Sequence, residues 1–227
     1  MDLDGTLVLS EDVHRRAWQA FFDSWGVEVT DADYEQRYMG RRPSDVITGV
    51  PGPWTGTDAA AALATMTAFI LEHADSVKVV PGAIALIQQL RTKYSLSVVT
   101  SAGAQWAQHL LENVLGVRDL VDVVVTSEEI TCGKPSPEGY LRACVAMRAR
   151  PEECLAFEDS PSGIRALVAA GVRNIVGVTT SATAADLTRA GARWTVPDLT
   201  HRRLLDIRRS ISARTAARGS NDKEARA

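Results

Sequence analysis

Residues 154–170 read CLAFEDSPSGIRALVAA, and this stretch decides the fold. Its first four residues form an apolar run of the length expected for a buried strand, and two acids follow the run. Residues 161–170 then show apolar side chains at the spacing of a helix. A buried strand that leads directly into a helix predicts one unit of a parallel sheet.

The same alternation of strand and helix extends along the chain on both sides of this stretch. The predicted strands are residues 96–100, 121–125, 154–157 and 174–178, and the predicted helices are residues 82–93, 104–115, 137–147 and 161–170. Apolar strands that alternate with helices predict a parallel sheet with helices on both faces, which is a Rossmann-like, doubly wound α/β core. Sheets of this kind carry functional residues at the carboxyl ends of their strands.

Residues 9–77 contain no convincing strand and predict an all-helical insertion into this core. Ser10 is expected to cap a first helix, and Thr57 a second helix over residues 57–74. The first helix carries apolar residues at helical spacing, namely Val13, Ala17, Trp18, Phe21 and Trp25. The predicted domains are therefore a discontinuous core (1–8 and 78–205), the insertion (9–77) and a basic, frayed C-terminal tail (206–227).

Composition excludes several classes of protein. The chain has 227 residues and a formal net charge of −3, which argues against a nucleic-acid-binding protein. The longest weakly polar stretch, residues 59–71, is too short to cross a membrane. Asp2 and Asp4 occupy the place where the apolar part of a secretion signal would begin, so we expect no signal peptide. A cytoplasmic protein, monomeric or weakly dimeric, is the simplest expectation.

The three cysteines, Cys132, Cys144 and Cys154, are at least ten residues apart and form no CxxC pair. Their odd number and wide spacing argue against a disulfide framework or a structural zinc site. Reduced thiols are the simplest expectation.

Two carboxylates open the first motif, DLDGTL at residues 2–7. Asp2 and Asp4 are two residues apart on an extended segment, so their side chains point the same way, and Gly5 then permits a sharp turn. One carboxylate could attack an electrophile while the other handles a proton. A calcium-binding loop is disfavoured, because Val13 stands where such a loop needs a glutamate.

Three further motifs follow at predicted strand ends: VVTSA (98–102), GKPSP (133–137) and AFEDSPSG (156–163). The hydroxyls of Thr100 and Ser101 precede a helix start and suit a phosphate oxygen. Lys134, between a glycine and a proline, is a fixed cation. Glu158 and Asp159 repel each other unless a cation joins them, and carboxylate oxygens are ligands that suit Mg²⁺. Each motif alone is also compatible with an ordinary helix cap, a surface lysine or solvated acids.

Together, DLDGTL, VVTSA, GKPSPEGYL and FEDSPSGIRALVAAG resemble the haloacid dehalogenase superfamily, in its phosphatase and phosphomutase branch. The resemblance extends from Asp2 to about Leu199 and implies an α/β core with an all-helical cap insertion. It implies that Asp2 is the nucleophile that forms an aspartyl-phosphate. Asp4 would protonate the leaving alcohol and then deprotonate the attacking water.

The resemblance also assigns the groups that bind phosphate and metal. Thr100 and Lys134 would hold the transferring phosphoryl group. Mg²⁺ would bind the Asp2 carboxylate, the Asp4 backbone carbonyl and Asp159, with Glu158 as a direct or water-mediated ligand. An anionic nucleophile can approach an anionic phosphate only if such cations offset the repulsion.

Four residues are candidates for substrate binding: Ser101, His14, Arg41 and Arg42. His14 lies in the segment HRRAW, which resembles the early cap helix of β-phosphoglucomutase-like proteins. Arg41 and Arg42 could offer a planar donor fork to hydroxyls or to a second phosphate, or could equally be a solvated pair.

The sequence departs from the family pattern at two places. Only Met1 precedes Asp2, where relatives have a whole apolar strand, so we expect a misplaced or truncated start. Met39 stands where sugar phosphatases often have a histidine.

The leading functional hypothesis is a Mg²⁺-dependent phosphatase that acts on a small sugar or polyol phosphate. A β-phosphoglucomutase-like phosphomutase is the alternative, in which a reoriented sugar phosphate rather than water attacks the aspartyl-phosphate. A non-catalytic binding protein is disfavoured because the nucleophile, the lysine and the metal-binding acids are all present. A true haloacid dehalogenase is disfavoured by Asp4, Glu158 and Asp159.

Overall fold

The computed structural model describes residues 1–38, 43–56 and 58–205. The strands are β1 (Val8–Leu9), β2 (Lys78–Val79), β3 (Ser97–Val99), β4 (Val123–Val125), β5 (Leu155–Glu158), β6 (Asn174–Val178) and β7 (Trp194–Val196). The helices are α1 (Glu11–Ser24), α2 (Asp31–Arg37), α3 (Pro43–Gly49), α4 (Ala59–Glu72), α5 (Ala83–Arg91), α6 (Ala104–His109), α7 (Glu138–Ala146), α8 (Pro161–Ala169) and α9 (Ala184–Ala190).

The core is built from parallel strands, as the sequence predicts. β3 pairs with β4, and β5 pairs with β6, which pairs in turn with β7. Met1 and Asp2 bridge the two groups: the Asp2 N–H donates to the Phe157 carbonyl at 3.0 Å, and the Val99 N–H donates to the Met1 carbonyl at 2.9 Å. The spatial order is therefore β4, β3, residues 1–2, β5, β6, β7, and Asp2 lies at the middle of the sheet.

Helices α5 to α9 alternate with these strands, which confirms the α/β class. The segment predicted as one helix over residues 104–115 is α6 followed by a π-helical turn, Leu110–Val114. The sequence analysis missed α9 and β7. Helix α9 has only seven residues and lies between the capping residues Thr183 and Gly191.

The four helices α1 to α4 all lie between β1 and β2, which pair with each other in antiparallel register, Val8 with Val79. The chain thus enters and leaves the helical cap through one two-stranded ribbon. The cap core is an aromatic cluster in which Trp18, Phe21 and Phe22 of α1 contact Tyr38 and Trp54.

Three details of the cap differ from the sequence prediction. Trp25, predicted on the packed face of α1, is 38% exposed, and Phe22 takes that place. Ser10 stands at the start of α1 but makes no capping hydrogen bond with its side chain. Asp58 caps α4 by accepting a hydrogen bond from the Ala60 N–H at 2.9 Å, and Thr57 lies outside the described residues.

An apolar groove of about 380 Å³ runs between β3 and β5 beneath Met1. Cys144 and Cys154 line it, with their sulfurs 3.9 Å apart, and all three cysteines are free thiols. Leu204 is buried in the core, whereas the predicted tail, residues 206–227, lies outside the described residues. Within the described ranges, every helix is too short or too polar to cross a bilayer.

Candidate active site

Three carboxylates meet at the carboxyl end of the central strands. Asp2 follows the bridging residue Met1, and Glu158 and Asp159 lie at the end of β5. One oxygen from each of the three lies within 4.8 Å of the others. All three side chains are buried, and Glu158 is 0% exposed.

Lys134 reaches this cluster from the loop before α7. Its ammonium group donates hydrogen bonds to Asp2 Oδ1 and to Glu158 Oε1, the latter at 2.6 Å. Burial lowers the pKa of Lys134, but the negative charges of Asp2 and Glu158 outweigh burial and raise the pKa well above its usual range. The lysine is therefore a permanent positive charge beside Asp2.

The cluster has fewer positive than negative charges. Three buried carboxylates share one lysine in the part of the chain that the structure describes. Burial raises the pKa of Asp2 to about 7, and burial together with the charge of Glu158 raises the pKa of Asp159 well above its usual range. A further cation beside these groups would favour the ionised forms of Asp2 and Asp159.

A hard divalent cation fits this donor set, because carboxylate and carbonyl oxygens are the ligands that Mg²⁺ prefers. Two glycines let the backbone pass directly against these carboxylates. A Cβ on Gly5 would overlap the Asp159 carboxylate, and a Cβ on Gly163 would overlap that of Glu158. Gly5 also has a φ of +81°, in the left-handed region that favours glycine.

Hydrogen bonds fix the orientation of Glu158. The Tyr140 hydroxyl donates to Glu158 Oε1 at 3.1 Å, and the Ser160 N–H and hydroxyl donate to Oε2 at 2.8 and 2.9 Å. Thr6 similarly donates to Asp159 Oδ1 at 3.0 Å. The two acids are therefore held by groups from three different segments.

Asp4 lies in a different environment from Asp2. Its Oδ1 accepts hydrogen bonds from the Ser10 hydroxyl at 2.6 Å and the Trp106 indole N–H at 2.9 Å, and lies 3.1 Å from His14 Nε2. Its Oδ2 accepts from the Thr100 hydroxyl at 3.2 Å. Burial raises the pKa of Asp4, but the bonds from His14, Ser10 and Trp106 outweigh it and lower the pKa to about 2.

Of the four residues predicted to contact substrate, the structure describes His14 and Ser101. His14 hydrogen-bonds to Asp4, and this bond raises the pKa of His14 even though burial opposes it. Ser101 is half-buried next to Thr100, at the carboxyl end of β3. Arg41 and Arg42 lie outside the described residues.

Three contacts were missed from the sequence. Ser10 was interpreted as a helix cap, but its hydroxyl is directed to Asp4. Tyr140 lies inside the GKPSPEGYL motif, and its place in that motif could have indicated a role at the site. Trp106 had no signal, because its partner Asp4 is 102 residues away in the sequence.

Comparison with known proteins places the chain in a family. The profile of the haloacid dehalogenase-like hydrolases matches residues 1–171. Validoxylamine A 7'-phosphate phosphatase of Streptomyces hygroscopicus subsp. limoneus is 35% identical over 191 residues, which cover 83% of this chain and 88% of that protein. A β-phosphoglucomutase of Mycobacterium bovis is 26% identical and covers 87% of this chain and 88% of its own length.

A solved structure shares the arrangement of core and cap. CbbY from Rhodobacter sphaeroides, in complex with phosphate, superimposes with a TM-score of 0.75 at 25% identity and covers 87% of this chain and 92% of its own. The fold, the profile match over most of the chain and the 35% identity agree with one another. The chain therefore belongs to the haloacid dehalogenase-like hydrolases.

Proposed function

We propose that the protein is a Mg²⁺-dependent phosphatase that hydrolyses a small sugar or polyol phosphate through an aspartyl-phosphate on Asp2. The observation that carries the proposal is the buried cluster of Asp2, Lys134, Glu158 and Asp159, with Asp4 two residues along the chain from Asp2. Relatives named as phosphatases of phosphorylated sugars and related compounds support the substrate class, including the one that is 35% identical.

Asp2 attacks the phosphorus atom, and the bond from phosphorus to the leaving oxygen breaks. Lys134, hydrogen-bonded to Asp2, neutralises negative charge beside the nucleophile, and Thr100 orients the phosphoryl group. The Asp2 carboxylate, the Asp4 carbonyl and Asp159 would hold Mg²⁺, with Glu158 directly or through water. When bound, the ion would offset the charge of both nucleophile and phosphoryl group.

Asp4 handles the proton. It gives a proton to the leaving alcohol in the first step and takes one from the attacking water in the second. The arrangement seen here, with hydrogen-bond donors on both carboxylate oxygens, stabilises ionised Asp4 and therefore suits the second step.

The helical cap, proposed as residues 9–77, would cover the site and exclude bulk water, with the core formed by residues 1–8 and 78–205. The paired strands β1 and β2 are the two connections and the proposed hinges. Substrate contacts by Ser101, Arg41 and Arg42 stay predictions.

The test is a panel of sugar and polyol phosphates assayed for phosphate release with Mg²⁺. Asp2→Asn should abolish turnover while the fold survives, because the amide has nearly the same shape but is a poor nucleophile. Substantial phosphate release by this variant would contradict the role of Asp2.

The alternative is a β-phosphoglucomutase-like phosphomutase, favoured by the relative of that name. In that case a reoriented sugar phosphate, rather than water, takes the phosphoryl group from Asp2. Isomerised sugar phosphate, formed only with a sugar bisphosphate activator and without net phosphate release, would establish the mutase.

A further inference from the structure

We propose that Trp106 is a positioning residue for Asp4: its indole N–H holds the carboxylate in the orientation needed for proton transfer to the leaving group. The inference rests on the proposed function, since it assumes that Asp4 is the general acid and base. The direct contact is the hydrogen bond of 2.9 Å from Trp106 Nε1 to Asp4 Oδ1.

The indole is itself rigidly held. Trp106 lies on α6 and is 1% exposed, so its ring is fixed by core packing and cannot contact solvent. The rings of His14 and His109 pack against it, at centroid distances of 5.6 and 6.4 Å. A buried N–H without an acceptor would be costly, so the ring orientation and the hydrogen bond to Asp4 support each other.

The other donors to Asp4 Oδ1 come from a different part of the molecule. Ser10 and His14 lie at the start of α1, on the cap side of β1, and would move with the cap. Thr100 lies at the end of β3 and Trp106 lies on α6, so both residues belong to the core. Trp106 engages Oδ1 only, so Oδ2 is the atom that carries the transferred proton when Thr100 turns its hydroxyl from Oδ2 to the phosphoryl group.

The chemistry of the indole suits this task. Its N–H is a donor only and does not ionise near neutral pH, whereas a histidine could compete with Asp4 as an acid or base. Trp106 can therefore orient Asp4 without entering the proton transfer itself.

The test compares Trp106→Phe with Trp54→Phe. Trp54 is an equally buried tryptophan in the cap, and its N–H donates to the Val50 carbonyl at 3.0 Å, so its replacement is the same chemical change away from Asp4. Each variant is assayed with a sugar phosphate from the panel, whose leaving alkoxide needs a proton, and with p-nitrophenyl phosphate, whose leaving group does not.

We expect Trp106→Phe to lower kcat/KM, which reports the step that releases the leaving group, by at least about tenfold for the sugar phosphate, the size expected for one hydrogen bond to a charged group, with little change for p-nitrophenyl phosphate. Trp54→Phe should leave the ratio of the two rates at the wild-type value. Because both rates come from one preparation, their ratio does not depend on the fraction of folded protein.

Equal losses for the two substrates in Trp106→Phe would show a packing role only and would overturn the inference. If that variant does not fold, replacement of Trp106 by 3-benzothienylalanine, which keeps the ring shape but lacks the N–H, tests the same hydrogen bond.

Asp4→Asn in the same assay separates the proposed role of Asp4 from the proposed role of Trp106. If it does not discriminate between the substrates, the proposed role of Asp4 fails. If Asp4→Asn discriminates and neither Trp106 variant does, only the role of Trp106 fails.

Discussion

Asp2 and Asp4 are two residues apart, yet the structure gives their carboxylates opposite environments. Burial beside Glu158 raises the pKa of Asp2 to about 7, whereas hydrogen bonds lower the pKa of Asp4 to about 2. Asp2 depends on cations, namely Lys134 and the proposed Mg²⁺, to stay ionised. Asp4 depends on neutral donors and on His14. Asp2 therefore needs these cations to be ionised as a nucleophile, whereas the surroundings of Asp4 favour its ionised form, which is the form that takes a proton from water.

Replacement of Asp4 by asparagine should slow hydrolysis of a sugar phosphate by at least about 10²-fold, the usual size of general acid–base catalysis. The loss should be smaller for an aryl phosphate, because its leaving group needs no proton. The values of kcat/KM for both substrates measure the difference, because they report the step that releases the leaving group. Equal losses would contradict the acid role of Asp4.

Tyr140→Phe removes one hydroxyl, which donates to Glu158 Oε1. We expect the Mg²⁺ concentration for half-saturation to rise by about fivefold, as expected for one lost hydrogen bond, because Glu158 is less firmly oriented. Both the Mg²⁺ dependence of activity and that of the thermal midpoint can be measured. Tyr94→Phe, at an exposed tyrosine, is the control. An unchanged Mg²⁺ dependence in Tyr140→Phe would mean that this hydroxyl is irrelevant to the metal.

At the level of elements, the link between β5 and α8 builds much of the site. Ser160 caps α8 by accepting a hydrogen bond from the Gly163 N–H at 3.0 Å, and the same serine donates to Glu158. The helix start and the acid therefore share one side chain. Gly163 is needed there because the first turn of the helix lies against the Glu158 carboxylate.

Gly163→Ala should lower the free energy of unfolding by about 1–3 kcal/mol, as overpacking usually does, and should also weaken Mg²⁺ binding. Gly49→Ala is the matched control, because a Cβ at this helical glycine would meet no atom within 4 Å. Chemical denaturation of both variants, with and without Mg²⁺, measures the difference. Similar stabilities for the two variants would show that α8 shifts to accommodate the methyl group.

The apolar strands and the acids at their ends could be predicted from the sequence, because strand hydrophobicity and residue type are local properties. The two-residue strands β1 and β2 could not, since a pattern cannot be read over so short a length. Trp106 and Ser10 were missed at the site for another reason. Their role is set by which distant atom their hydrogen bonds reach, and only the folded chain shows this.

On the scale of the whole molecule, the charge of the site links metal binding to stability. Because Asp2 lies near Glu158 and Asp159 only in the folded chain, an ion bound to all three stabilises the folded state. At 100 times its Kd, such an ion contributes about 2.7 kcal/mol. This stabilisation requires that all the segments that meet at the carboxyl end of the sheet are folded.

Mg²⁺ should therefore raise the thermal midpoint, and excess chelator should lower it and remove activity. Asp159→Asn should abolish the Mg²⁺-dependent shift and be more damaging than Glu158→Gln, because Asp159 is the proposed inner ligand. Full activity in excess chelator would contradict the metal site. A larger loss in Glu158→Gln than in Asp159→Asn would make Glu158, not Asp159, the inner ligand.

The proposed nucleophile and the residues around it are far apart along the chain. Lys134 contacts Asp2 across 132 residues, and Asp159 contacts Thr6 across 153 residues. During synthesis, Asp2 leaves the ribosome before all of these partners, and Lys134 follows only 132 residues later. Contacts of such long range form late in folding, since they close the largest loops. A nascent or partly folded chain thus carries Asp2 without Lys134, Glu158 and Asp159, and the proposed phosphoryl chemistry can begin only when the sheet is complete.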